Sequence, residues 1–503
     1  MKTITEDFEK TVKAFPERVA VRDEVTALTY SELMLQAKAI GTVLAGLNKR
    51  HAPIALCLKK SPLLVAAMLG TAYSGNFYIV VDDKMPVERI KRTFSVVEPA
   101  AVITDASLTE NIRATGTQAR IFLADELLTT PPDEAVLEAV RARMIDTDPL
   151  YCLFTSGSTG VPKGTIISHR NVMTYVEWVR ETFEISETTV FGSQTPFYFS
   201  MSITDLFTTL HTGAELVIIP KAYFSFPIKL IQYLNEHQVN TIYWVPSALS
   251  IIANLDLFKY AKPSFLQKVL FAGEVMPTKQ LNYWMRHLPG LLYANLFGPT
   301  ETTDICTYYV VDRQFEDGES LPIGRACNNC DVMVINSDGA ESAVGEEGEL
   351  YVRGSFLSSG YYRNPEKTAE VFVQNPLNPY YPEPVYRTGD IVKYNERGEL
   401  IYCGRKDFQI KHMGYRIELG EIENNAVAAE GVGVAACIFD AAADSLVMVY
   451  EGKISQEELL AHLKQRVPAY MVPNRLIKLS AMPYNSNGKI DRVWLKEHLN
   501  TME

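Results

Sequence analysis

Short apolar, β-branched runs alternate with longer amphipathic stretches through most of this chain. The segments 150–154, 214–219, 241–245 and 268–272 read as strands, and 227–237 and 278–286 read as helices. Alternation of this kind predicts an α/β fold built on largely parallel sheets. From about Gly345 the texture shifts to shorter strands and turns at 348–354, 390–395 and 399–404. The last hundred residues or so carry two more helix patterns, 421–430 and 456–466, and a short strand set. A chain of 503 residues exceeds what one hydrophobic core can organise. The natural division is a domain over residues 1–405 and a smaller one over 406–503, with the polar tract Gly404-Arg405-Lys406-Asp407 as the candidate hinge.

Composition narrows the function classes. A net charge of −12 with no long Lys/Arg run argues against a nucleic-acid-binding surface. The seven cysteines are scattered singly except for Cys327-Asn328-Asn329-Cys330, which fits a reducing cytoplasm. No second CxxC or HxxxH pair lies near them to complete a zinc site. His169 and His412 likewise lack partners at metal or triad spacing. The N-terminus has no apolar signal region. Residues 61–81 carry no charge, but Gly70, Ser74, Gly75 and Asn76 split them into a helix-like 63–73 and a strand-like 77–81. A buried helix, turn and strand is expected there, not a membrane span.

The segment most charged with chemistry is Thr155-Ser156-Gly157-Ser158-Thr159-Gly160-Val161-Pro162-Lys163-Gly164. Glycines let backbone N–H groups converge on an anion, hydroxyls add donors, and Lys163 adds a positive charge. This is a phosphate cradle by composition. It is not a GxxxxGK[ST] loop, because Gly160 and Gly164 stand too close together.

The loop resembles the signature of the adenylate-forming superfamily, which includes acyl-CoA synthetases, nonribosomal peptide synthetase adenylation domains and D-alanine–carrier protein ligases. Further segments similar to that superfamily follow in order: Asn295-Leu296-Phe297-Gly298-Pro299-Thr300-Glu301, Gly348-Glu349-Leu350 with Gly360-Tyr361, Tyr386-Arg387-Thr388-Gly389-Asp390, Gly404-Arg405-Lys406-Asp407 and Asn487-Gly488-Lys489. The match runs from Leu28-Thr29-Tyr30 to Arg492. The resemblance implies an α/β fold, α+β at the C-terminus. Its parts are a large N-terminal domain of β-α sheets, a small barrel-like subdomain and a small mobile C-terminal α+β domain.

The resemblance also implies ATP and Mg²⁺ as cofactors. Ser156, Gly157, Ser158, Thr159, Gly160, Lys163, Gly298 and Thr300 are implied around the phosphates, with Thr155 both there and catalytic. Glu301 is implied as a hard oxygen ligand for Mg²⁺, with Thr159 or Thr155 as a second contact. Phe297 is implied against adenine, Asp390 on the ribose with Arg405 assisting, and Lys489 at the carboxylate–phosphate junction. Rotation about Asp407 would then withdraw Lys489 and bring residues 411–415 to the site, where a thiol attacks the acyl-adenylate.

Pro468-Ala469-Tyr470-Met471-Val472-Pro473 resembles a segment of carrier-loading members. The chain ends soon after Lys489, so a free-standing enzyme serving a separate phosphopantetheinyl carrier protein is expected, with CoA as the alternative acceptor. The acyl pocket departs from the amino-acid-activating relatives. Phe199 stands where expected, but Ser200 occupies the place of the aspartate that pairs with an α-ammonium. A hydroxyl cannot offset the desolvation of a buried ammonium. Met201, Thr204, Tyr243, Leu270, Ala272, Leu296, Asp304 and Ile305 are expected around the acyl group. Asp304 is the carboxylate among them. It could pair with an amino group displaced from the α-carbon, accept from a hydroxyl, or stand in solvent. Asp205 reads as scaffold. An aryl, hydroxy, aliphatic or β-amino acid is therefore expected in place of an ordinary α-amino acid.

Overall fold

The structure is a computed structural model that describes residues 3–155, 162–406, 409–441, 443–484, 490–499 and 501–502. Two sheets form the body of the N-terminal part. One has nine strands in the order Arg325–Ala326, Thr307–Val310, Leu292–Phe297, Lys268–Phe271, Thr241–Trp244, Val190–Ser193, Glu215–Ile218, Val19–Arg22, Ala27–Thr29. Its central strands pair in parallel, and antiparallel strands close both ends. The other sheet has six strands and ends in the antiparallel hairpin of Pro149–Thr155 with Lys163–Ser168. Helices cover both faces of such parallel sheets, which is why their strands read as continuous apolar runs.

The uncharged stretch resolves as expected. Ser61 caps the helix Pro62–Tyr73, and Gly75 at φ +71° turns the chain into the buried strand Phe77–Val80. No helix among the described residues is long and apolar enough to cross a membrane.

The shorter-stranded region is a five-stranded antiparallel sheet centred on Pro384–Tyr394. That strand starts six residues before the expected 390, because Val385 and Tyr386 are buried against the sheet's own core. Cys327 and Cys330 are free thiols at the entry to Cys330–Ile335. The C-terminal part has its own core. The helix Leu419–Val427 buries Ile422 against Leu446 and Met448 of Ser445–Gly452 and Leu459 and Leu463 of Gln456–Lys464. The molecule is thus α/β in its large N-terminal domain and α+β in its small C-terminal one.

Candidate active site

The hairpin brings the two ends of the glycine-rich loop together, with Thr155 opposite Lys163. Ser156, Gly157, Ser158, Thr159 and Gly160 lie outside the described residues, as do Asp407 and Lys489. The Thr155 hydroxyl is buried and makes no hydrogen bond among the described residues. The Lys163 ammonium lies 4.0 Å from Glu301 and 3.9 Å from Glu418, and 5.1 Å from the centre of the Tyr361 ring. Burial, and after it the Arg416 guanidinium, push Lys163 down to about 8, against the pull of the two carboxylates.

Glu301 sits in a 3₁₀ turn, Thr300–Thr302, just beyond the strand Leu292–Phe297, and is fully buried. The Tyr361 hydroxyl donates to its Oε1 at 2.6 Å and Arg416 donates to Oε2 at 2.6 Å. Burial alone would raise this carboxyl, but Arg416, Lys163 and Tyr361 outweigh it and hold it at about 2.

The next residues reverse the chain sharply. Thr303 has φ +71° and ψ −56°, and the Asp304 N–H donates to the Thr302 carbonyl at 2.8 Å. That is a γ-turn with a positive central φ, a rare conformation and a strained one for a β-branched residue. It lets Glu301 and Asp304 both face inward although they are three residues apart. Gly298 allows the fold-back, since a Cβ there would stand 2.3 Å from the Asp304 carbonyl oxygen.

Asp304 is therefore not a solvated residue. It is 2% exposed, and its Oδ2 accepts from Thr204 at 2.8 Å, Tyr243 at 3.0 Å and Tyr175 at 3.2 Å. Burial raises its carboxyl to about 6, and the hydroxyls of Thr204, Tyr243, Ser200 and Tyr175 limit the rise.

A cavity of ≈ 70 Å³ joins these parts. Phe199, Ser200, Met201, Ala272, Gly298, Thr300, Asp304 and Ile305 line it, as do Asp390, Arg405, Lys411 and Arg416. Ser200 accepts from Thr300 at 3.4 Å. Thr204 and Tyr243 do not reach the cavity themselves but hold Asp304 from behind. Leu270 is buried in the core, and Leu296 lines a second cavity of ≈ 340 Å³ beside Phe297 and Tyr402.

Arg405 donates to Asp390 Oδ1 at 2.8 Å and to the Thr388 carbonyl at 3.2 Å, so the 1%-exposed Asp390 is fixed by a buried cation. The Lys411 ammonium stands 4.3 Å from the centre of the Phe297 ring and covers that face.

Arg416, Glu418 and Glu274 had no signal of their own in the sequence, and Tyr361 entered only within the Gly360-Tyr361 segment. Arg416, Glu418 and Tyr361 surround Glu301 and Lys163. Glu274 accepts from the backbone N–H of Ser247 at 2.9 Å and of Gly414 at 2.8 Å. Gly414 has φ +79°, and a Cβ there would meet Val245 at 2.5 Å. Tyr415 stacks on Tyr470 at 3.6 Å and meets Phe199 edge-on at 4.8 Å. The expected 411–415 segment thus lies at the cavity, with Arg416 one residue beyond it.

Comparison with known proteins agrees with this geometry. The family described as AMP-binding enzyme matches residues 8–362. An L-proline–[L-prolyl-carrier protein] ligase of Pseudomonas fluorescens is 32% identical over 506 residues, covering 98% of each chain. Tyrocidine synthase 3 of Brevibacillus parabrevis is 32% identical over 502 residues; they span 98% of this chain but only 8% of that much longer protein. The adenylation domain AlmE of Vibrio cholerae, solved with glycyl-adenosine-5'-phosphate, has a similar fold. Its TM-score is 0.85 at 22% identity, with 99% of this chain and 98% of that one covered. The chain belongs to the AMP-binding enzyme family, within the adenylate-forming superfamily.

Proposed function

We propose that the chain activates a small carboxylic acid with ATP as an acyl-adenylate, releases pyrophosphate, and then passes the acyl group to the phosphopantetheine thiol of a separate carrier protein. The observation that supports this best is the single cavity lined by Asp304 and Ser200 together with Asp390, Arg405, Lys411 and Arg416. Bringing a carboxylate against a triphosphate joins two anions, and Lys163 with the arriving Lys489 would offset their repulsion. Asp390 would accept from ribose hydroxyls while Arg405 holds it in place. The cavity beside Phe297 would take the adenine, with the Lys411 side chain moving off the ring face.

Glu301, and Thr155 with its unpartnered buried hydroxyl, are oxygen donors suited to Mg²⁺. When bound, that ion supplies positive charge at the phosphates. Both Glu301 oxygens are engaged by Tyr361 and Arg416 in this arrangement, so the carboxylate becomes available only when Arg416 withdraws. Arg416 belongs to the small domain, which on this reading spans 406–503 and rotates about Asp407, while the core spans 1–405. Withdrawal of Arg416 and arrival of Lys489 would then be one movement. This arrangement, with Gly414 and Arg416 at the cavity, corresponds to the thiol-transfer stage.

ATP–pyrophosphate exchange over a panel of acids tests the first step, and capture of the acyl group by a phosphopantetheinylated carrier protein against free CoA tests the second. Lys489→Ala is expected to lose exchange while still transferring an acyl group from a supplied adenylate. Exchange near that of the unaltered protein would remove Lys489 from the reading.

A further inference from the structure

Buried carboxylates in this molecule face cations. Glu301 meets Arg416, Asp390 meets Arg405 and Glu421 meets Arg89, while burial raises Asp205 to about 6 and the Lys60 ammonium limits the rise. Asp304 is different. It is as deeply buried as these, yet among the described residues it is met only by hydroxyls, and it opens onto a cavity. A carboxylate in low dielectric without a cation is costly to keep charged, and hydroxyl donors repay only part of that. Two further features show that the arrangement is built. The strained turn at Thr303 directs the side chain inward, and Gly298 makes room for the backbone that carries it.

The cavity is also polar in a definite sense. Its cations, Arg405, Lys411 and Arg416, are set against Asp390, the Phe297 ring and Glu301. Tyr175, Thr204 and Tyr243, which donate to Asp304, do not line the cavity, whereas Asp304 and Ser200 do. An α-ammonium stays beside its own carboxylate, where the cavity offers Ser200, a neutral group. A nitrogen further along the carbon chain would pass Ser200 to meet Asp304.

We infer that Asp304 is the counter-ion for a cationic amino group that the acyl substrate carries on its β-carbon or beyond. The inference rests on the acyl-adenylate reading and names its substrate class, a β- or more distal amino acid. A neutral hydroxy acid is disfavoured. Oδ2 already accepts three hydroxyls, and a fourth neutral donor would leave the charge uncompensated. An ammonium supplies the missing cation and keeps the hydroxyl ring intact.

The test is pyrophosphate exchange by the full chain with matched acids of graded size, each in four forms: unsubstituted, hydroxy-, α-amino and β- or γ-amino. Butanoate, 3-hydroxybutanoate, 2-aminobutanoate and 3- and 4-aminobutanoate make the smallest set. The distal amino form is expected to exceed its unsubstituted and α-amino partners by roughly 10⁴-fold in kcat/KM, as for sites built to bond one polar group of the substrate. Asp304→Asn is expected to lose that advantage and keep exchange with the neutral partner. Exchange led by a neutral or α-amino form overturns the inference and leaves acyl-adenylate formation standing. Exchange with no acid of any set overturns both. If Asp304→Asn fails to fold, the acid panel with the unaltered protein still decides.

Discussion

Glu301 and Asp304 share one reversed turn, yet their carboxyls are driven in opposite directions. Glu301 falls to about 2 because Arg416, Lys163 and Tyr361 outweigh its burial. Asp304 rises to about 6 because burial meets only hydroxyls. The signs for stability follow. Glu301 contributes stability that is complete above its ordinary value of 4.5 and is lost as pH falls from there towards 2. Asp304 opposes the fold above about 6 and is relieved as pH falls through that value. For the proposed catalysis the requirement is reversed, since only an ionised Asp304 would pair with a cationic substrate group. With a distal amino acid, kcat/KM should rise as pH climbs through about 6. It should fall again above about 8, where Lys163 loses its proton. Asp304→Asn should erase the acid limb and Lys163→Arg should shift the basic limb upward. A pH profile that keeps its acid limb in Asp304→Asn would assign that limb to another group. The sequence could place Asp304 near the acyl group but left its surroundings open. Its partners come from Tyr175, Thr204 and Tyr243, at least 61 residues away, and nothing local marks them.

The elements were the most legible part of the chain. Strands such as Lys268–Phe271 and Gly348–Gly354 fall on their expected segments to within a residue, because apolar runs bounded by glycine and polar residues leave little else to form. What the pattern could not show is how tightly one element turns onto the next. Between the strands Leu292–Phe297 and Thr307–Val310 the chain makes a 3₁₀ turn, a γ-turn and a fold-back in nine residues. Gly298 reads there as part of a motif, yet its physical role is close approach. A Cβ at this position would meet three backbone atoms of Asp304, Ile305 and Cys306 at 2.3 to 2.7 Å, and backbone cannot swing aside as a side chain can. Gly298→Ala should therefore cost about 1–3 kcal/mol by overpacking, read as a lowered Tm. It should also displace Asp304 and Ile305, so that exchange falls by roughly 100-fold, the scale of a misplacement near 1 Å. A variant with unchanged Tm and unchanged exchange would show that the turn relaxes elsewhere.

At the scale of the whole molecule, the small domain is held against the large one by contacts of two kinds. Some lie in the cavity: Arg416 on Glu301, Glu418 near Lys163, and the Gly414 N–H on Glu274. Others lie outside it, where Arg89 pairs with Glu421 and Arg92 donates to Asn425 at 2.7 Å. The helix Val87–Val97 supplies both arginines and the helix Leu419–Val427 both acceptors. Nothing in the sequence marks this latch, because more than 300 residues separate its two sides. The latch separates domain position from chemistry, since none of its four residues lines the cavity. If Glu301 must shed Arg416 before it can serve the nucleotide, every contact that holds this arrangement favours thiol transfer over adenylation. Removing one partner of a buried ion pair is worth several kcal/mol, enough to shift a two-state balance by more than tenfold. Arg89→Met should therefore leave pyrophosphate exchange unchanged or faster, while transfer from a preformed acyl-adenylate to the thiol slows by roughly tenfold or more. Single-turnover measurements of the two half-reactions separate these effects. An equal fall in both would mark Arg89 as a support for the fold alone, and an unaltered transfer rate would show that the cavity contacts hold the small domain without the latch.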